Sequence, residues 1–214
     1  MPTTDTEPAH DPERLLRLAR AGCATALGGL LERYRNYLLL LARLGLGGRL
    51  RGKLDEADVV QEAFLKAGRD FRDFRGATEP ELAGWLRQVL ARTLANQVRR
   101  YARTGKRDIG LERSLAHELD RSSRLLSRGV ADPGTSPSGR AARGEQAVLL
   151  ADALGALPPD HREAIVLRSL EGLPFAEVGV RMERSEDAVK KLWARALCGL
   201  RRQLGSSDGS ADAN

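Results

Sequence analysis

Apolar residues recur along most of the chain at intervals of three or four, which is the spacing of one face of an α-helix. The pattern predicts helices over 13–22, 24–44, 55–71 and 81–103, and it resumes at Glu145. Aromatic residues are only 4% of the composition, and alanine, leucine and arginine dominate, which also favours helix over strand. The chain is therefore predicted to be all-α.

Two helical domains joined by a flexible linker are predicted from the places where the helical pattern stops. The run at 131–139 is rich in proline, glycine and serine and cannot form a core element, although a short helix is predicted at 111–126. The predicted organisation is a disordered tail at 1–12, a first domain at 13–105, the linker at 106–144, a second domain at 145–205 and a tail at 206–214. A glycine cluster at 45–48 is predicted to be a loop, because it lacks the lysine and Ser/Thr of a phosphate-binding loop and no strand precedes it.

The stretch from Leu173 to Leu204 reads as two helices joined by a tight turn, with Ser185 suited to cap the second helix. Glu183 stands in the turn, where a glycine would make the bend easiest. The second helix has an apolar stripe at Val189, Leu192, Ala196 and Leu200, and an outer face of Asp187, Lys191, Arg195 and Arg202. This arrangement is typical of a helix-turn-helix that enters a DNA major groove, although an ordinary helical hairpin with a solvated charged face stays open.

The predicted helix at 55–71 is strongly amphipathic. Its apolar stripe consists of Ala57, Val60, Ala63, Phe64 and Ala67, and its opposite face carries Asp55, Asp58 and Glu62. Carboxylates on one exposed face with no histidine partner are poorly suited to metal binding or acid–base chemistry. A solvated face, or a docking surface for a basic partner, fits the pattern better.

The second half of the predicted helix at 81–103 has a polar face that suits nucleic acid. Arg92, Asn96, Arg99 and Arg103 recur there at helical spacing, and no acidic residue lies between Arg87 and Arg107. Arginine donates to phosphates, and asparagine can contact a base edge. A solvated basic face is the alternative, although a second basic helix in the same chain weakens it.

Composition narrows the class of protein without identifying it. Lys and Arg total 35 against 29 Asp and Glu, giving a formal net charge of +6, which suggests a polyanionic partner. Cys23 and Cys198 lie far apart and in no metal-like spacing, so two free thiols in a reducing cytosol are expected. The 3 histidines are scattered, and neither a nucleophile–base pair nor a metal-ligand spacing is present. We therefore expect a cytoplasmic protein without membrane insertion, enzymatic activity, metal or cofactor.

The order of these parts resembles bacterial RNA polymerase sigma factors of the extracytoplasmic-function (ECF) class, which keep only the second and fourth conserved sigma regions. The first domain matches at LLERYRNYLLLLAR, DEADVVQEAFLKAGRDF and FRGATEPELAGWLRQVLARTLANQVRR. The second matches from ALPPDHREAIVLRSLEGL to the end of the helix-turn-helix. The pattern D-x-x-D-x-x-Q-E-x-F, followed by a W-L helix and a C-terminal helix-turn-helix, is specific as a set.

The resemblance implies a sigma factor that binds core RNA polymerase and directs promoter-specific initiation by recognising minus-ten and minus-35 elements. It implies core-polymerase contacts at Asp55, Asp58, Gln61, Glu62 and Phe64. It implies minus-ten contacts at Arg75, Gly76, Thr78, Arg92, Asn96, Arg99, Arg100 and Arg103, and minus-35 contacts at Ser185, Glu186, Asp187, Lys190, Lys191 and Arg195. The class often has an anti-sigma partner.

Two other functions remain open from the residues alone. A conventional helix-turn-helix regulator that does not bind core polymerase would explain the C-terminal basic helix, but not the acidic helix or the second basic face. A helical adaptor that touches no nucleic acid would leave both basic faces without a role. Binding to a DNA column and its dependence on salt would distinguish the adaptor from the other two.

Overall fold

The computed structural model describes residues 11–50, 54–101, 109–128 and 140–208. Its regular elements are helices, which confirms the all-α prediction. The chain divides into two compact units, Met1–Asp120 and Arg121–Asn214. Among the described residues, no helix is both long enough and apolar enough to cross a membrane.

The described residues of the first unit form five complete helices and the start of a sixth. They are α1 (Pro12–Arg20), α2 (Ala24–Arg33), α3 (Arg35–Leu50), α4 (Glu56–Asp70), α5 (Glu79–Tyr101) and α6 (Ile109–Ser127), with a 3-10 turn at Phe71–Asp73. The division between the two units falls inside α6. The helix predicted at 111–126 is therefore present, with slightly wider bounds, inside the segment predicted to be a linker.

The core of the first unit is built mainly from leucines of α2, α3 and α5. Leu30, Leu38, Leu41, Leu90 and Leu94 are fully buried. Each leucine that moves from water into such a core contributes about 1.5–3 kcal/mol. An aromatic cluster joins the end of α4 to α5, with ring centroids separated by 5.7 Å for Phe71 and Phe74, 6.0 Å for Phe71 and Trp85, and 5.3 Å for Phe74 and Trp85.

The single helix predicted over 24–44 is two helices, because the chain breaks between α2 and α3 at Tyr34. Tyr34 is fully buried, and its hydroxyl donates a hydrogen bond to Glu79 Oε1 at 3.1 Å. Burial, reinforced by the Glu79 carboxylate, raises the pKa of Tyr34 above its ordinary value. The break allows the ring to enter the core while its hydroxyl keeps a partner 45 residues further along the chain.

The loop prediction for the glycine cluster at 45–48 is wrong, since α3 continues through it to Leu50. Close packing explains why residue 45 of this helix is a glycine. A Cβ atom at this position would lie 2.9 Å from Leu119 Cδ2 and 3.5 Å from Leu94 Cδ1. The glycine therefore permits close packing between α3 and side chains of α5 and α6.

Beyond the end of α6, the described residues of the second unit form four helices and confirm the predicted helix-turn-helix. They are α7 (Arg140–Gly155), α8 (Pro159–Ile165), which continues into a π turn at Val166–Leu170, α9 (Phe175–Arg181) and α10 (Glu186–Asp208). Leu167, Val178 and Val189 form a buried cluster between α8, α9 and α10. Gly172 has φ +77°, and the Leu173 N–H donates to Leu167 O at 3.0 Å, so the predicted glycine cap is confirmed.

The turn between α9 and α10 is tight, as predicted, and one of its residues is strained. Glu183 has φ +54°, in the left-handed region that favours glycine. The Arg184 N–H donates to Gly179 O at 2.9 Å, and a Cβ atom on Gly179 would lie only 2.8 Å from Arg184 O. Ser185 caps α10 as predicted, because its Oγ accepts from the Ala188 N–H at 3.3 Å.

Several helix ends differ from the predictions by a few residues. The first helix begins at Pro12, the helix predicted from 145 begins at Arg140, and α10 runs past the predicted end at 205 to Asp208. Residues 1–10, 131–139 and 209–214, which the predictions assign to a tail, a linker and a second tail, lie outside the described residues. The predicted domain boundaries stay predictions.

Candidate functional site

The outer face of α4 is polar with one large apolar residue at its centre. Asp58, Gln61 and Leu65 are exposed along this face, whereas Val59 and Val60 on the other side of the helix are buried. Leu65 is 58% exposed, so this face offers a large apolar side chain that a partner could cover. The sequence prediction missed Leu65, although a leucine outside the apolar stripe was a visible signal.

Asp55 and Phe64, both predicted to contact polymerase, have roles inside the unit. Asp55 is the N-cap of α4, and its Oδ1 accepts from the Ala57 N–H at 2.7 Å. Phe64 is only 9% exposed, and the Arg35 guanidinium lies 5.2 Å from its ring centroid. The Phe64 ring is buried and is not part of the polar face of α4. It supports that face only by holding α4 in place. Ala57, predicted in the apolar stripe, is exposed in the first turn of α4, and the buried side of the helix begins with Val59 and Val60.

Glu62 faces α5 rather than the polar outer surface. Its carboxylate lies 2.7 Å from Lys66 Nζ and 3.8 Å from Arg100 Nη1, and it accepts a hydrogen bond from the Gln97 amide. Burial raises the pKa of Glu62, but hydrogen bonds from Lys66 and Gln97 and the Lys66 and Arg100 charges outweigh it and lower the pKa below its ordinary value. Glu62, which is predicted to contact core polymerase, therefore lies next to Arg100, which is predicted to contact the minus-ten element.

The loop before α5 is ordered by a capping box. Glu81 Oε2 accepts from the Ala77 N–H at 2.8 Å, from the Thr78 N–H at 3.0 Å and from the Thr78 hydroxyl at 2.8 Å. These hydrogen bonds lower the pKa of Glu81. The Thr78 side chain thus fixes the start of the helix, and the T-x-x-E spacing was readable in the sequence.

Gly76 and Arg75 occupy contrasting positions in the same loop. A Cβ atom on Gly76 would lie 2.4 Å from the Phe74 ring, and the Gly76 carbonyl accepts from Arg20 Nη1 at 3.1 Å. Gly76 therefore has a packing role. Arg75 is exposed and makes no ion pair within the described residues, which leaves its guanidinium available to a ligand.

The predicted polar face on the second half of α5 is present, and its members are linked. Arg99 donates through Nε to Ala95 O at 3.2 Å and through Nη2 to Asn96 Oδ1. Arg100 has a 70% exposed side chain, and Arg92 has a 58% exposed side chain whose Nε lies 3.1 Å from Glu112 Oε1 of α6. Arg103 lies outside the described residues.

The outer face of α10 is exposed along its length, as predicted. Val189, Ala196 and Leu200 are buried on the other side, and Leu192 is half-buried. Lys191 and Arg195 are exposed and form no ion pair with another described residue.

The first turn of α10 contains its own ion pairs. Lys190 Nζ lies 2.7 Å from Glu186 Oε1 and 3.9 Å from Asp187 Oδ1, and the hydrogen bond that Lys190 donates to Glu186 raises the pKa of Lys190. The Asp187 side chain is 85% exposed. Lys191 and Arg195 are therefore the cations of the outer α10 face that no described carboxylate holds, and Asp187 is exposed beside its pair with Lys190.

A groove of about 760 Å³ runs beside α10 in the second unit. Leu157, His161, Arg195 and Cys198 are among its lining residues. Cys23 and Cys198 are free and exposed. No group of three or more His, Cys, Asp or Glu side chains in the described part of the chain could hold a metal ion.

Comparison with known proteins agrees with this geometry. The sequence family described as "Sigma-70, region 4" matches residues 147–197, which include α9, the turn after it and the first half of α10. The chain is 28% identical over 185 residues to the ECF RNA polymerase sigma-E factor of Haemophilus influenzae, covering 86% of this chain and 90% of that protein. It is 29% identical over 205 residues to the ECF RNA polymerase sigma factor BldN of Streptomyces coelicolor, covering 95% and 69%. A solved structure of CnrH in complex with the cytosolic domain of CnrY matches with 25% identity and a TM-score of 0.33, over 95% of this chain and 100% of that one.

A helix-turn-helix unit that matches sigma region 4, preceded by a helical unit with its own basic face, defines the architecture of a transcription-initiation factor. The relatives extend over most of the chain rather than over the helix-turn-helix alone. The chain is thus similar, over most of its length, to RNA polymerase sigma factors of the ECF class.

Proposed function

We propose that the protein binds core RNA polymerase and directs promoter-specific initiation through minus-ten and minus-35 elements. The observation that carries this proposal is the exposed polar face of α4, with Asp58, Gln61 and Leu65, which the chain has in addition to the basic faces of α5 and α10. A conventional DNA-binding regulator requires a basic recognition helix, but that function does not account for the polar face of α4. The protein would supply specificity, with no catalytic activity of its own, in the cytoplasm where the polymerase works.

The α4 face suits a partner that combines basic groups with an apolar contact. Asp58 and Gln61 supply acceptors on an exposed surface, and Leu65 supplies apolar area that docking would bury. Burial of such a leucine contributes about 1.5–3 kcal/mol at most, so it is a strong candidate for an anchor. A charge at the rim mainly affects the rate of encounter and the orientation of the partner.

The α5 face suits a single strand whose bases have left the duplex. Arg100 and Arg75 are exposed cations for phosphate contact, and Asn96 offers an amide to a base. Taking a base out of the stack costs a few kcal/mol, which contacts in the complex must offset. The linked pair of Asn96 and Arg99 presents preoriented donors for that purpose.

The α10 face suits the major groove of a duplex. Lys191 and Arg195 project from one side of a helix whose opposite side is anchored in the core. Asp187 can accept from a cytosine amino group, and arginine can donate to guanine. The first turn of α10 would therefore read bases, while the later basic residues bind phosphates.

Capture of bacterial core polymerase by the tagged full-length chain tests this function. We expect wild type to retain core polymerase and Asp58→Arg to lose most of it, because the substitution places a cation on the face that is proposed to receive a basic partner. Asp70→Arg is the matched control, since Asp70 is exposed at the far end of the same helix and the charge change is identical. Failure of wild type to retain core polymerase, or equal loss in both variants, would count against the proposal.

An anti-sigma partner stays a prediction of the family resemblance. An inhibitor that covers the α4 face would compete with core polymerase for the chain. Co-expression of a candidate inhibitor should then reduce core capture by wild type.

A further inference from the structure

Helix α6 is anchored to the first unit by an apolar contact, although the sequence assigns it to a linker. Leu119 is fully buried, and its Cδ2 atom lies 2.9 Å from the position that a Cβ atom would take at Gly45 of α3. Leu94 of α5, also fully buried, lies on the same side. The part of α6 up to Asp120 therefore rests on α3 and α5 rather than extending freely.

Two ion pairs align α6 with the basic face of α5. Arg87 Nε lies 2.7 Å from Asp120 Oδ1, and Arg92 Nε lies 3.1 Å from Glu112 Oε1. Because the earlier arginine pairs with the later carboxylate, the two helices run antiparallel in this region. Arg87 also donates through Nη1 to the Tyr37 hydroxyl at 3.1 Å, so the Asp120 contact is part of a larger network.

The outer pair involves a residue of the proposed minus-ten surface. Arg92 precedes Asn96 by about one helical turn. Its partner Glu112 has a side chain that is only 22% exposed. Carboxylate and phosphate bind a guanidinium through the same charge-assisted hydrogen bonds. Glu112 therefore holds Arg92 in the way that a backbone phosphate would.

We propose that α6 is an intramolecular competitor of the minus-ten strand, with Glu112 placing a carboxylate where a phosphate would bind Arg92. The inference rests on the proposed function, because it takes the α5 face to be the strand-binding surface. In the free chain α6 lowers the affinity of this face for single-stranded DNA. Binding of the strand at full strength requires Glu112 to leave Arg92.

The energetic balance makes this competition reversible. The Arg92 side chain is 58% exposed, and an ion pair with such an exposed member changes an equilibrium by only about 1.4- to 5-fold. A polyanionic strand that makes several phosphate contacts can overcome it, particularly at low salt. Leu119 provides the stronger hold on α6, since its burial does not depend on salt.

Fluorescence anisotropy of the full-length chain with a labelled random single strand of about 20 nucleotides tests the proposal. Glu112→Lys breaks the pair and places a cation beside Arg92. Its matched control is Glu145→Lys, an exposed position on α7 with the same charge change. Leu119→Ala loosens the apolar anchor without altering charge, and Trp85 fluorescence checks that the first unit stays folded.

We expect Glu112→Lys to bind the strand about 3- to 10-fold more tightly than Glu145→Lys, and folded Leu119→Ala to bind more tightly than wild type. Equal affinity of Glu112→Lys and Glu145→Lys would overturn the inference. Core capture by the same proteins separates the two claims. If Glu112→Lys and Glu145→Lys bind DNA equally and core polymerase is still retained, only the proposed role of α6 is wrong. If the wild-type chain does not retain core polymerase, the proposed function is wrong.

Discussion

Replacing Glu183 with glycine should stabilise the second unit, because Glu183 holds a left-handed conformation in the turn of the helix-turn-helix. Its φ is +54°, where a Cβ atom crowds the following carbonyl oxygen. The Glu183 side chain makes no hydrogen bond or ion pair with another described residue. Glu183→Gly therefore relieves strain without removing a contact.

The expected gain follows from two opposing contributions. A non-glycine residue in the left-handed region costs about 1–2 kcal/mol relative to its preferred conformation. Glycine loses about 0.5–1 kcal/mol more conformational entropy on folding than alanine does. The midpoints of these two ranges differ by about 0.75 kcal/mol in favour of glycine, which corresponds to a rise in Tm of about 3–6 °C for a unit of this size.

Fluorescence of Trp193 can follow the second unit by itself in a Trp85→Phe background. The Trp193 indole N–H donates to Ser169 Oγ at 3.0 Å, and its ring packs edge-on against Phe175, so its emission should change on unfolding. Glu163→Gly in α8 is the control, because glycine in a helix lowers stability by about 1 kcal/mol. A Tm for Glu183→Gly that is unchanged or lower than that of wild type would refute the reasoning about strain.

Further predictions concern the same turn, the recognition helix and the link between α4 and α5. Gly179→Ala should lower the Tm of the second unit, measured by Trp193 fluorescence, because its Cβ atom would lie 2.8 Å from Arg184 O. Lys191→Gln should weaken duplex binding by the polymerase complex and reduce the slope of log affinity against log salt by about 0.9, if Lys191 binds one phosphate. Glu62→Gln should lower the free energy of unfolding at neutral pH. Because the pKa of Glu62 is lowered in the fold, the difference in unfolding free energy between the variant and wild type should shrink as the pH falls below about 4.5, the ordinary value. Chemical denaturation at a series of pH values measures this difference.

The sequence was sufficient to predict the fold class and the elements whose signals are local. The stripe Val189–Ala196–Leu200, the Ser185 cap and the Gly172 cap each depend on neighbours within a few residues, and the structure confirms them. The strained position at Glu183 was also visible, since a tight turn without glycine is a local conflict.

The failed predictions depend on contacts between distant parts of the chain. The break at Tyr34 reflects a hydrogen bond to Glu79, and the helical glycine cluster reflects packing of Gly45 against Leu119. Neither partner can be read from a periodic pattern. The same limit explains Glu62, whose place on an acidic helical face gave no sign of the basic residues of α5 beside it.

Transcription of fragmented genomic DNA from the source organism tests the central claim most directly. Core polymerase would be supplied with and without the full-length chain, and RNA 5′ ends would be sequenced. The account predicts discrete new start sites that share a minus-ten and a minus-35 element, and their loss with Asp58→Arg but not with Asp70→Arg. A chain that is retained by core polymerase yet adds no start sites would contradict the account.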